Sequence, residues 1–439
     1  MLNRREALKL QAAIGLGMFL PGTAVCARGE DSPNEKVDIA CIGLGGQGSH
    51  QLNGLQKQNI VALVDCDEER AGNAFQRFPK AKKFTDFRKL FDEYSEKFDA
   101  FTVSTPDHTH FHPAYIGMSL KKHLYLEKPM SRTVKECRIL TDLARKNKLA
   151  TQLGVQRHAG SGMRRVVELV RSGAIGEIRE VYSWMGGDRG MPQPPTEFPP
   201  VPAALDWDLW LGPAKERPYS PEYCPYKWRF WWDFGTGETG NFGCHILDVP
   251  YWALDLAHCE WCAATGPEID PQRTPKSMQV TYKFPARKSW DGKKDLAPVT
   301  MHWSHGAPRE ALKKYGMDKQ KGGNNLFIGE KGIMYCDYQW ARLFPEEQFK
   351  DYPIPAQSIE SSPGFHNEWI NAIKGGEPAS CCFDYSGPLA ETVILGNCAY
   401  RAGAKEGFVW DAKNVKSPDN TAINDYIYPS YRKGWELDI

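Results

Sequence analysis

The sequence predicts an α/β protein: an N-terminal Rossmann-type, doubly wound parallel sheet, followed by a C-terminal α+β domain on a large, mostly antiparallel open sheet. Three observations predict this class. The chain has 439 residues, too many for one ordinary hydrophobic core. Apolar strand-like runs alternate with helical patterns up to about residue 157. Beyond that point the strand-like segments alternate apolar and polar residues, which is typical of half-buried antiparallel strands.

The first half of the chain supplies five strand segments with helical patterns between them. KVDIACIGLGGQGSH predicts a strand, a glycine-rich turn and the start of a helix. NIVALVDCD, FDAFTVSTPD, KHLYLEKP and LATQLGVQRH predict the other strands, and VKECRILTDLARKNK predicts a helix. We therefore assign residues 36–157 to an α/β domain with a parallel sheet.

The second half, residues 158–439, is predicted to form an α+β domain. MRRVVELVRSGAIGEIREVYSWMG predicts a helix, a glycine turn and a strand, whereas the following proline-rich stretch excludes regular structure. SMQVTYKF, VTMHWSHG and NNLFIGEKGIMYC alternate like antiparallel strands. FHNEWINAIKGGEP and SGPLAETVILGNCAYRAGA predict helices.

Charge and composition restrict the class of partner. Lys and Arg number 55 and Asp and Glu 54, for a net charge of +1, so no global field favours nucleic acid or an anionic membrane. This balance favours a small, neutral partner. Aromatic residues reach 12%, with 14 Trp. Stacking on sugar rings and a large aromatic core explain that content equally well.

Residues 1–27 have the layout of a twin-arginine export signal. Arg4 and Arg5 precede a short apolar stretch that is too short and too rich in Gly and Ala for a membrane span. Cleavage after Ala27 would leave a mature periplasmic protein that begins at Arg28 and is not inserted in the membrane. The alternative is an amphipathic leader on a cytoplasmic protein.

The cysteines predict buried thiols rather than disulfides or a metal centre. Eleven of the 12 Cys follow the leader, an odd number scattered through apparent core segments. CEWC, at 259–262, has no second pair and no neighbouring pair of His, so we expect no zinc site.

The segment GLGGQG predicts a dinucleotide site. Gly43, Gly45 and Gly48 have GxGxxG spacing after a predicted strand and at the start of a helix. Backbone N–H groups in this turn, which includes Gln47, can bind a pyrophosphate at the helix N-terminus. Asp65 ends the next strand, where an acid holds the adenine-ribose hydroxyls. No Arg follows Asp65 directly, which favours NAD over NADP.

Two further segments follow core strands and belong to the same sheet edge. STPDHTHFHPAYIG contains Thr105 and His110, and EKP contains Glu127 and Lys128. Ligands of doubly wound sheets bind at the carboxyl ends of the strands. We therefore expect these four residues at the cofactor, with Lys128 near the nicotinamide.

The combination of GLGGQG, STPDHTH, YLEKPM and WWDFGTGETGNFGCHILD resembles the Gfo/Idh/MocA oxidoreductase family, particularly its exported members with twin-arginine leaders. The resemblance covers essentially the whole chain after the leader. It implies a Rossmann domain and an α/β domain whose open sheet supports a homo-oligomer. It also implies oxidation or reduction of a hydroxyl of a sugar, polyol or glycoside with tightly held NAD or NADP.

The resemblance implies roles for particular residues. Lys128 matches the lysine that orients the reacting hydroxyl and the nicotinamide, and His245 matches the histidine assigned as acid/base. Asp248 matches a recurrent acid of the substrate pocket. The family commonly has Asp four residues before the histidine, but this chain has Asn241. Asn cannot take a proton or raise the pKa of His245 by its charge, although it can hydrogen-bond a substrate hydroxyl.

Further pocket residues come from two segments. YKWRFWWDFGTGETG supplies Arg229, Trp232 and Asp233, which either line a sugar pocket or brace the glycine-rich turn. Arg157 and His158, at the exit of the first domain, are also predicted to face the cleft.

These patterns leave three functions open. The first is an NAD-dependent oxidoreductase acting on a sugar or glycoside hydroxyl, with C3 as one candidate position. It needs a base with an ordinary imidazole pKa and a cation at the developing alkoxide. Outside the cytoplasm its cofactor would have to stay bound and be recycled. The second is redox-neutral glycoside cleavage through a transient keto-sugar. The third is a non-catalytic sugar-binding homologue that lost turnover through Asn241.

Overall fold

The computed structural model of this protein describes residues 36–187 and 189–439. The export signal, with Arg4, Arg5 and the cleavage site after Ala27, lies outside the described residues and stays a prediction. Residues 37–439 form one compact unit. Over the described ranges, no helix combines the length and the apolar character that crossing a bilayer would need.

The first half forms the predicted parallel sheet, with six strands in the order β3-β2-β1-β4-β5-β6. Its strands are β1 (Asp38–Ile42), β2 (Asn59–Val64), β3 (Lys82–Phe84), β4 (Ala100–Val103), β5 (His123–Leu126) and β6 (Thr151–Leu153). β3 was not predicted, because two exposed lysines leave its three residues without an apolar run.

Helices follow the strands, so helix N-termini and strand carboxyl ends share one edge of the sheet. They are α1 (Gln47–Gly54), α2 (Glu68–Arg77), α3 (Phe87–Tyr94), α4 (Phe111–Ser119) and α5 (Val134–Asn147). Polar side chains cap the N-termini of several of these helices. Asp67 accepts a hydrogen bond from the backbone of Arg70 at α2, and Thr133 and Glu136 form a capping box at α5.

The second half contains an eight-stranded sheet in the order β15-β14-β13-β7-β12-β9-β8-β16. The β7–β12 pair is parallel and the other pairs are antiparallel, so the predicted large, mostly antiparallel sheet is confirmed. β10 and β11 form a separate hairpin. The strands are β7 (Ile178–Met185), β8 (Trp261–Thr265), β9 (Gln279–Phe284), β10 (Arg287–Lys288), β11 (Asp295–Leu296), β12 (Val299–His305), β13 (Asn325–Gly329), β14 (Ile333–Cys336), β15 (Ala341–Phe344) and β16 (Phe408–Val409).

Helices of the second half pack on both faces of this sheet. They are α6 (Ser161–Arg171), α7 (Trp207–Leu211), α8 (Gly237–Ile246), α9 (Asp248–Ala253), α10 (Arg309–Lys314), α11 (Glu346–Phe349), α12 (Phe365–Ile373), α13 (Phe383–Arg401) and α14 (Asn424–Ile427). α10 lies in a cluster with Trp184 and Leu326, whereas α8 and α13 lie in the main core. The almost wholly buried α13 packs on α5 of the first half and on α8 and β8 of the second. Arg138 and Glu391 form a bidentate ion pair across this contact, with N–O distances of 2.7 Å. The two sheets therefore share one core.

A buried carboxylate fixes the start of α8 against the first sheet. Asp107, in the segment after β4, accepts hydrogen bonds from the backbone N (3.0 Å) and the hydroxyl (2.6 Å) of Thr236. Gly237 follows with a φ of +64° and begins the helix, a backbone conformation that suits glycine. The glycine-rich turn thus brings α8 to the carboxyl edge of the parallel strands.

Candidate active site

A first cleft, of about 460 Å³, lies at the carboxyl edge of the parallel sheet. The structure brings most of the residues predicted at the cofactor into its wall: Gly43, Gly45, Gln47, Asp65, Thr105, Glu127 and Lys128. Asn241 and His245 of α8 line it from the other half of the chain, as does Arg229.

The glycine turn at the head of this cleft fits a dinucleotide. Gly43 has a φ of +81°, and a Cβ there would lie 2.7 Å from the backbone carbon of Ser104. A Cβ at Gly48 would overlap the carbonyl oxygen of Gly43. The hydroxyls of Ser104 and Thr105 are buried and have no hydrogen-bond partner among the described residues, so they are left for a ligand. This narrow backbone cradle at a helix N-terminus suits a pyrophosphate.

Gly48 and His110 act behind the wall of the first cleft rather than in it. Gly48 allows close contact between α1 and the turn. The ring of His110 lies between two carbonyl oxygens, with Nδ1 2.7 Å from Pro129 O and Nε2 2.9 Å from Thr105 O. His110 therefore joins the segments after β4 and β5, and it is not among the residues that line the first cleft.

Asp65 lies at the end of β2 with both carboxylate oxygens hydrogen-bonded. They accept from the backbone N of Leu44 (2.8 Å) and of Asp67 (3.0 Å). Burial raises the pKa of Asp65. Sequence reasoning missed Arg70, whose guanidinium lines the cleft beside Gly45. Asp67 was the sequence signal that could have identified Arg70, because Asp67 caps α2 and so places Arg70 in the first turn of that helix.

Glu127 is almost completely buried at the floor of the first cleft. Its Oε1 accepts hydrogen bonds from the side-chain amides of Gln51 and Gln156, the second at 2.9 Å. A Cβ at Gly154 would lie 2.6 Å from the carboxyl carbon of Glu127, so only glycine leaves room for it. Burial raises the pKa of Glu127 to about 7, although the neighbouring Lys128 opposes this.

A chain of polar contacts connects Lys128 with α8. Its ammonium donates to the backbone oxygen (3.0 Å) and the side-chain oxygen (2.8 Å) of Asn241. The Asn241 amide nitrogen donates to Glu238 at 3.3 Å, and Arg189 donates to the same carboxylate oxygen at 2.9 Å. Burial, followed by the charge of Arg229, lowers the pKa of Lys128. Asn241 thus fills the position of the usual acid with both ends of its amide engaged.

His245 lies on α8 beside Lys128 and Asn241. Its Nδ1 is buried without a hydrogen-bond partner among the described residues. Burial, followed by the positive charges of Lys128 and Arg157, lowers the pKa of His245 to about 3. The expectation of an ordinary imidazole pKa is therefore wrong, because the sequence could not show that the ring is partly buried beside two cationic side chains. His245 is neutral at physiological pH and can accept a hydrogen bond or a proton.

A second cleft, of about 420 Å³, adjoins the first and shares Lys128, Asn241 and His245 with it. Arg157 lines this second cleft, and its guanidinium lies 4.7 Å from the ring centroid of Tyr338. The remaining lining residues are Trp184, Met185, Gly186, Phe242, Ile246 and Asn324.

Two residues predicted to bind substrate, Trp232 and Asp248, line neither cleft. The indole N–H of Trp232 donates to the backbone oxygen of Asp270 at 3.2 Å, and Arg401 lies 5.0 Å from its ring centroid. Both carboxylate oxygens of Asp248 lie 3.0 Å from Nδ1 of His158.

His158 and Asp233 do not line either cleft. His158 is buried, and its ring stacks on Trp252 at 3.9 Å. Asp233 is engaged by an ion pair with Arg217. Of the residues predicted from these two segments, only Arg229, in the first cleft, and Arg157, in the second, line a cleft.

No group of three His, Cys, Asp or Glu side chains that could hold a metal ion occurs in residues 36–187 and 189–439. All eleven Cys of the described residues are free, and nine of them are buried. Burial raises the pKa of both Cys259 and Cys262, which keeps these thiols protonated.

Two family models match the chain. The model described as "Oxidoreductase family, NAD-binding Rossmann fold" matches residues 37–155. The model described as "Oxidoreductase family, C-terminal alpha/beta domain" matches residues 173–273. Together the two matches cover half of the chain.

Curated relatives match over part of their length. A glycosyl hydrolase family 109 protein of Solibacter usitatus is 28% identical over 200 residues, 40% of this chain and 44% of the relative. Inositol 2-dehydrogenase of Salmonella typhimurium is 25% identical over 147 residues, 32% of this chain and 43% of the relative. Levoglucosan dehydrogenase of Pseudarthrobacter phenanthrenivorans is 22% identical, over 43% of this chain and 40% of the relative. The chain thus matches less than half of each of these relatives.

Solved structures match over much more of the chain. The WlbA dehydrogenase from Bordetella pertussis, in complex with NADH and UDP-GlcNAcA, has a TM-score of 0.59 and 14% identity, over 85% of this chain and 98% of that chain. GenD2 from gentamicin A biosynthesis, in complex with NAD, has a TM-score of 0.55 and 16% identity, over 90% and 100%. At these identities the likeness shows the fold alone.

Proposed function

This chain belongs to the Gfo/Idh/MocA family of NAD-binding oxidoreductases, and we propose that it oxidises or reduces a hydroxyl of a sugar or glycoside with NAD. One observation carries the proposal: the first and second clefts meet at Lys128, Asn241 and His245. A cofactor in the first cleft and a substrate in the second would share this wall. Relatives named inositol and levoglucosan dehydrogenase support a polyol or sugar substrate.

Lys128 and His245 have different roles at the reacting hydroxyl. The bound cofactor supplies the hydride acceptor for the carbinol carbon. An ammonium has three N–H donors, and two of those of Lys128 bond to Asn241. The third can bind the substrate hydroxyl and stabilise the negative charge that develops on its oxygen. Neutral His245 accepts the hydroxyl proton, so the alcohol loses a hydride and a proton and becomes a carbonyl.

We propose NAD rather than NADP as the native cofactor. The Asp65 carboxylate at the end of β2 can accept hydrogen bonds from the ribose hydroxyls and would repel a 2′-phosphate. Arg70, on the same side of the cleft, has the opposite preference. Arg4 and Arg5 predict that the protein is exported. An exported enzyme would have to recycle its cofactor in place, so we expect the cofactor to be held tightly.

A second candidate activity is redox-neutral glycoside cleavage. The similarity to a glycosyl hydrolase family 109 protein favours it. Oxidation at C3 acidifies the C–H at C2, so the bond from C1 to the aglycone breaks by elimination. Water then adds, and reduction of the ketone leaves no net redox change.

The test is a screen of the purified protein, with its bound cofactor, against sugars and glycosides. Formation of the reduced nicotinamide absorbance band supports the dehydrogenase. Release of aglycone without a lasting change of that band supports redox-neutral cleavage. Sugar binding that yields neither signal would overturn both activities and support a binding protein.

A further inference from the structure

We propose that the second cleft binds the anionic group of an acidic sugar, a carboxylate or a phosphate, through Arg157. This inference rests on the proposed function, since it specifies the substrate of the same site. None of the residues that line the second cleft in the described part of the chain is Asp or Glu, whereas Lys128 and Arg157 are cationic. A cleft with two cations and no carboxylate favours an anionic ligand.

Arg157 is held in a geometry that suits a planar or tetrahedral oxyanion. Its guanidinium lies over the ring of Tyr338 at 4.7 Å, which orients the plane of the group while its N–H donors remain available. Paired N–H donors of Arg bind carboxylate and phosphate in bidentate fashion.

The neighbouring residue anchors the backbone that carries Arg157. His158 is buried between Asp248 and Trp252, with Nδ1 3.0 Å from the carboxylate oxygens and the rings 3.9 Å apart. Tyr385 also donates to Asp248. Asp248, expected in the substrate pocket, thus serves instead to hold the segment from which Arg157 reaches the second cleft.

The side-chain amide of Asn324 can present a donor to the second cleft. The side-chain oxygen of Asn324 accepts a hydrogen bond from Asn325 at 2.8 Å, and its NH₂ group, which also contacts Tyr338, has a second N–H for a ligand. The side-chain oxygen of Asn241 accepts from Lys128. Both side-chain oxygens are therefore engaged, and the nitrogen of Asn241 donates to Glu238. Arg157 and Asn324 thus supply the donors for the oxygens of an anionic sugar.

Substitution of Asn for the usual acid at position 241 agrees with this charge pattern. An Asp there would place a carboxylate at the boundary of both clefts, beside Lys128. The neutral amide leaves the positive potential of Lys128 and Arg157 undiminished. The net charge of +1, which favoured a neutral partner, averages over the whole chain and does not describe this local field.

An anion at Arg157 would also help His245 to act as the base. The charge of Arg157 contributes to the lowering of the pKa of His245. A bound carboxylate or phosphate would offset that charge and make the imidazole a better proton acceptor. An acidic substrate would thus improve the base that acts on it.

The test uses the protein with its bound cofactor and three sugars that differ only at C6: glucose, glucuronate and glucose 6-phosphate, with galactose and galacturonate as a second pair. Binding is measured by titration calorimetry and turnover by the nicotinamide absorbance. We expect at least one acidic sugar to bind on the order of 10–10²-fold more tightly than its neutral partner, as for hydrogen bonds to charged groups. A stronger glucose 6-phosphate signal assigns the site to phosphate, and a stronger uronate signal to carboxylate.

Variants separate the Arg157 contact from net charge. Arg157→Gln should abolish the preference for acidic sugars, and Arg157→Lys, which keeps the charge but not the fork, should retain part of it. Arg179→Gln is the matched control, because Arg179 is exposed on β7 and pairs with Glu177; it should keep the full preference. Melting temperatures verify that each variant is folded.

Two failures can be told apart. Equal binding of acidic and neutral sugars, no binding of either, or a preference that survives in Arg157→Gln would overturn the anion site. Binding of acidic sugars that depends on Arg157, without turnover or cleavage of any sugar or glycoside, would support the anion site and refute the proposed function.

Discussion

The first and second clefts share a wall but are built in different ways. The first is formed largely by turns that directly follow parallel strands, so short sequence motifs such as GLGGQG and EKP specify it. The second is formed by side chains from separate segments, among them Arg157, Trp184, Asn324 and Tyr338. Backbone geometry therefore determines which cofactor class the first cleft accepts, whereas individual side chains determine what enters the second.

The largest expected effect is at the shared wall. Lys128→Ala should lower turnover by on the order of 10²–10⁴-fold, because it removes the charge that stabilises the developing alkoxide. Cofactor should remain bound, since the glycine turn at Gly43 and Gly48 is untouched. Steady-state rates and the cofactor content of the purified protein measure the two effects.

Lys146→Ala is the control for that variant, because Lys146 lies exposed on α5. Full activity in Lys128→Ala would show that the shared wall does not contain the catalytic cation. Loss of the cofactor together with turnover would assign Lys128 to the first cleft alone.

The floor of the first cleft gives the next largest effect, on stability rather than rate. Burial raises the pKa of Glu127 from its ordinary 4.5 to about 7. Between these values the folded protein keeps a proton that the unfolded chain releases, so the free energy of unfolding falls as the pH rises through this window. The loss is on the order of 3 kcal/mol. Glu127→Gln should remove it.

Urea unfolding of the cofactor-free protein at about pH 5 and about pH 8 measures this difference. Glu347→Gln is the control, because the Glu347 side chain is 92% exposed, and it should leave the pH dependence unchanged. A pH dependence in Glu127→Gln equal to that of the unsubstituted protein would contradict the assignment to Glu127.

The third effect separates the two clefts. A Cβ at Gly48 would overlap the carbonyl oxygen of Gly43, so Gly48→Ala must displace α1 from the turn. Overpacking of this kind costs about 1–3 kcal/mol, and we expect cofactor affinity to fall accordingly. Binding of acidic sugars in the second cleft should change little.

Gly72→Ala provides the comparison, since a Cβ at this position of α2 has no heavy atom within 4 Å and alanine favours a helix. It should keep cofactor affinity and gain slightly in stability. Unchanged cofactor binding in Gly48→Ala would mean that the turn does not hold the pyrophosphate.

The same contrast explains how much of the site could be predicted from sequence. Strand-turn-helix motifs predicted the parallel sheet and most of the first cleft, because those residues are close in sequence. The clamp of Asp107 on Thr236 and the pair of Arg189 with Glu238 join segments 129 and 49 residues apart. No pattern within either segment indicates these contacts.

Asp248 shows why side chains of the second cleft were harder to predict. Its position three residues after His245 places both on one face of a continuous helix. In the structure α8 ends at Ile246 and α9 begins at Asp248. The break turns the carboxylate towards His158. Pro250, which has no N–H to donate to the carbonyl of Ile246 four residues back, is the signal in the sequence for this break.

The smallest expected effect concerns the choice between NAD and NADP at the outer end of the first cleft. Asp65 and Arg70 both line this end and have opposite preferences for a 2′-phosphate. Asp65 is half-buried at the strand end, whereas Arg70 is exposed on the helix beyond it, so we expect the carboxylate to dominate and NAD to bind more tightly. Asp65→Asn should then relax the discrimination against NADP. Adding Arg70→Gln to this variant should weaken NADP binding several-fold, the size expected of a solvent-screened ion pair. That loss would cancel most of the gain in NADP affinity. Affinities of the cofactor-free protein for NAD and NADP measure both steps, with Arg77→Gln, exposed in the last turn of the same helix, as the control. If the unsubstituted protein binds NADP more tightly than NAD, the effect of Arg70 outweighs that of Asp65. The backbone of the first cleft would then determine that a dinucleotide binds, but not whether it carries a 2′-phosphate.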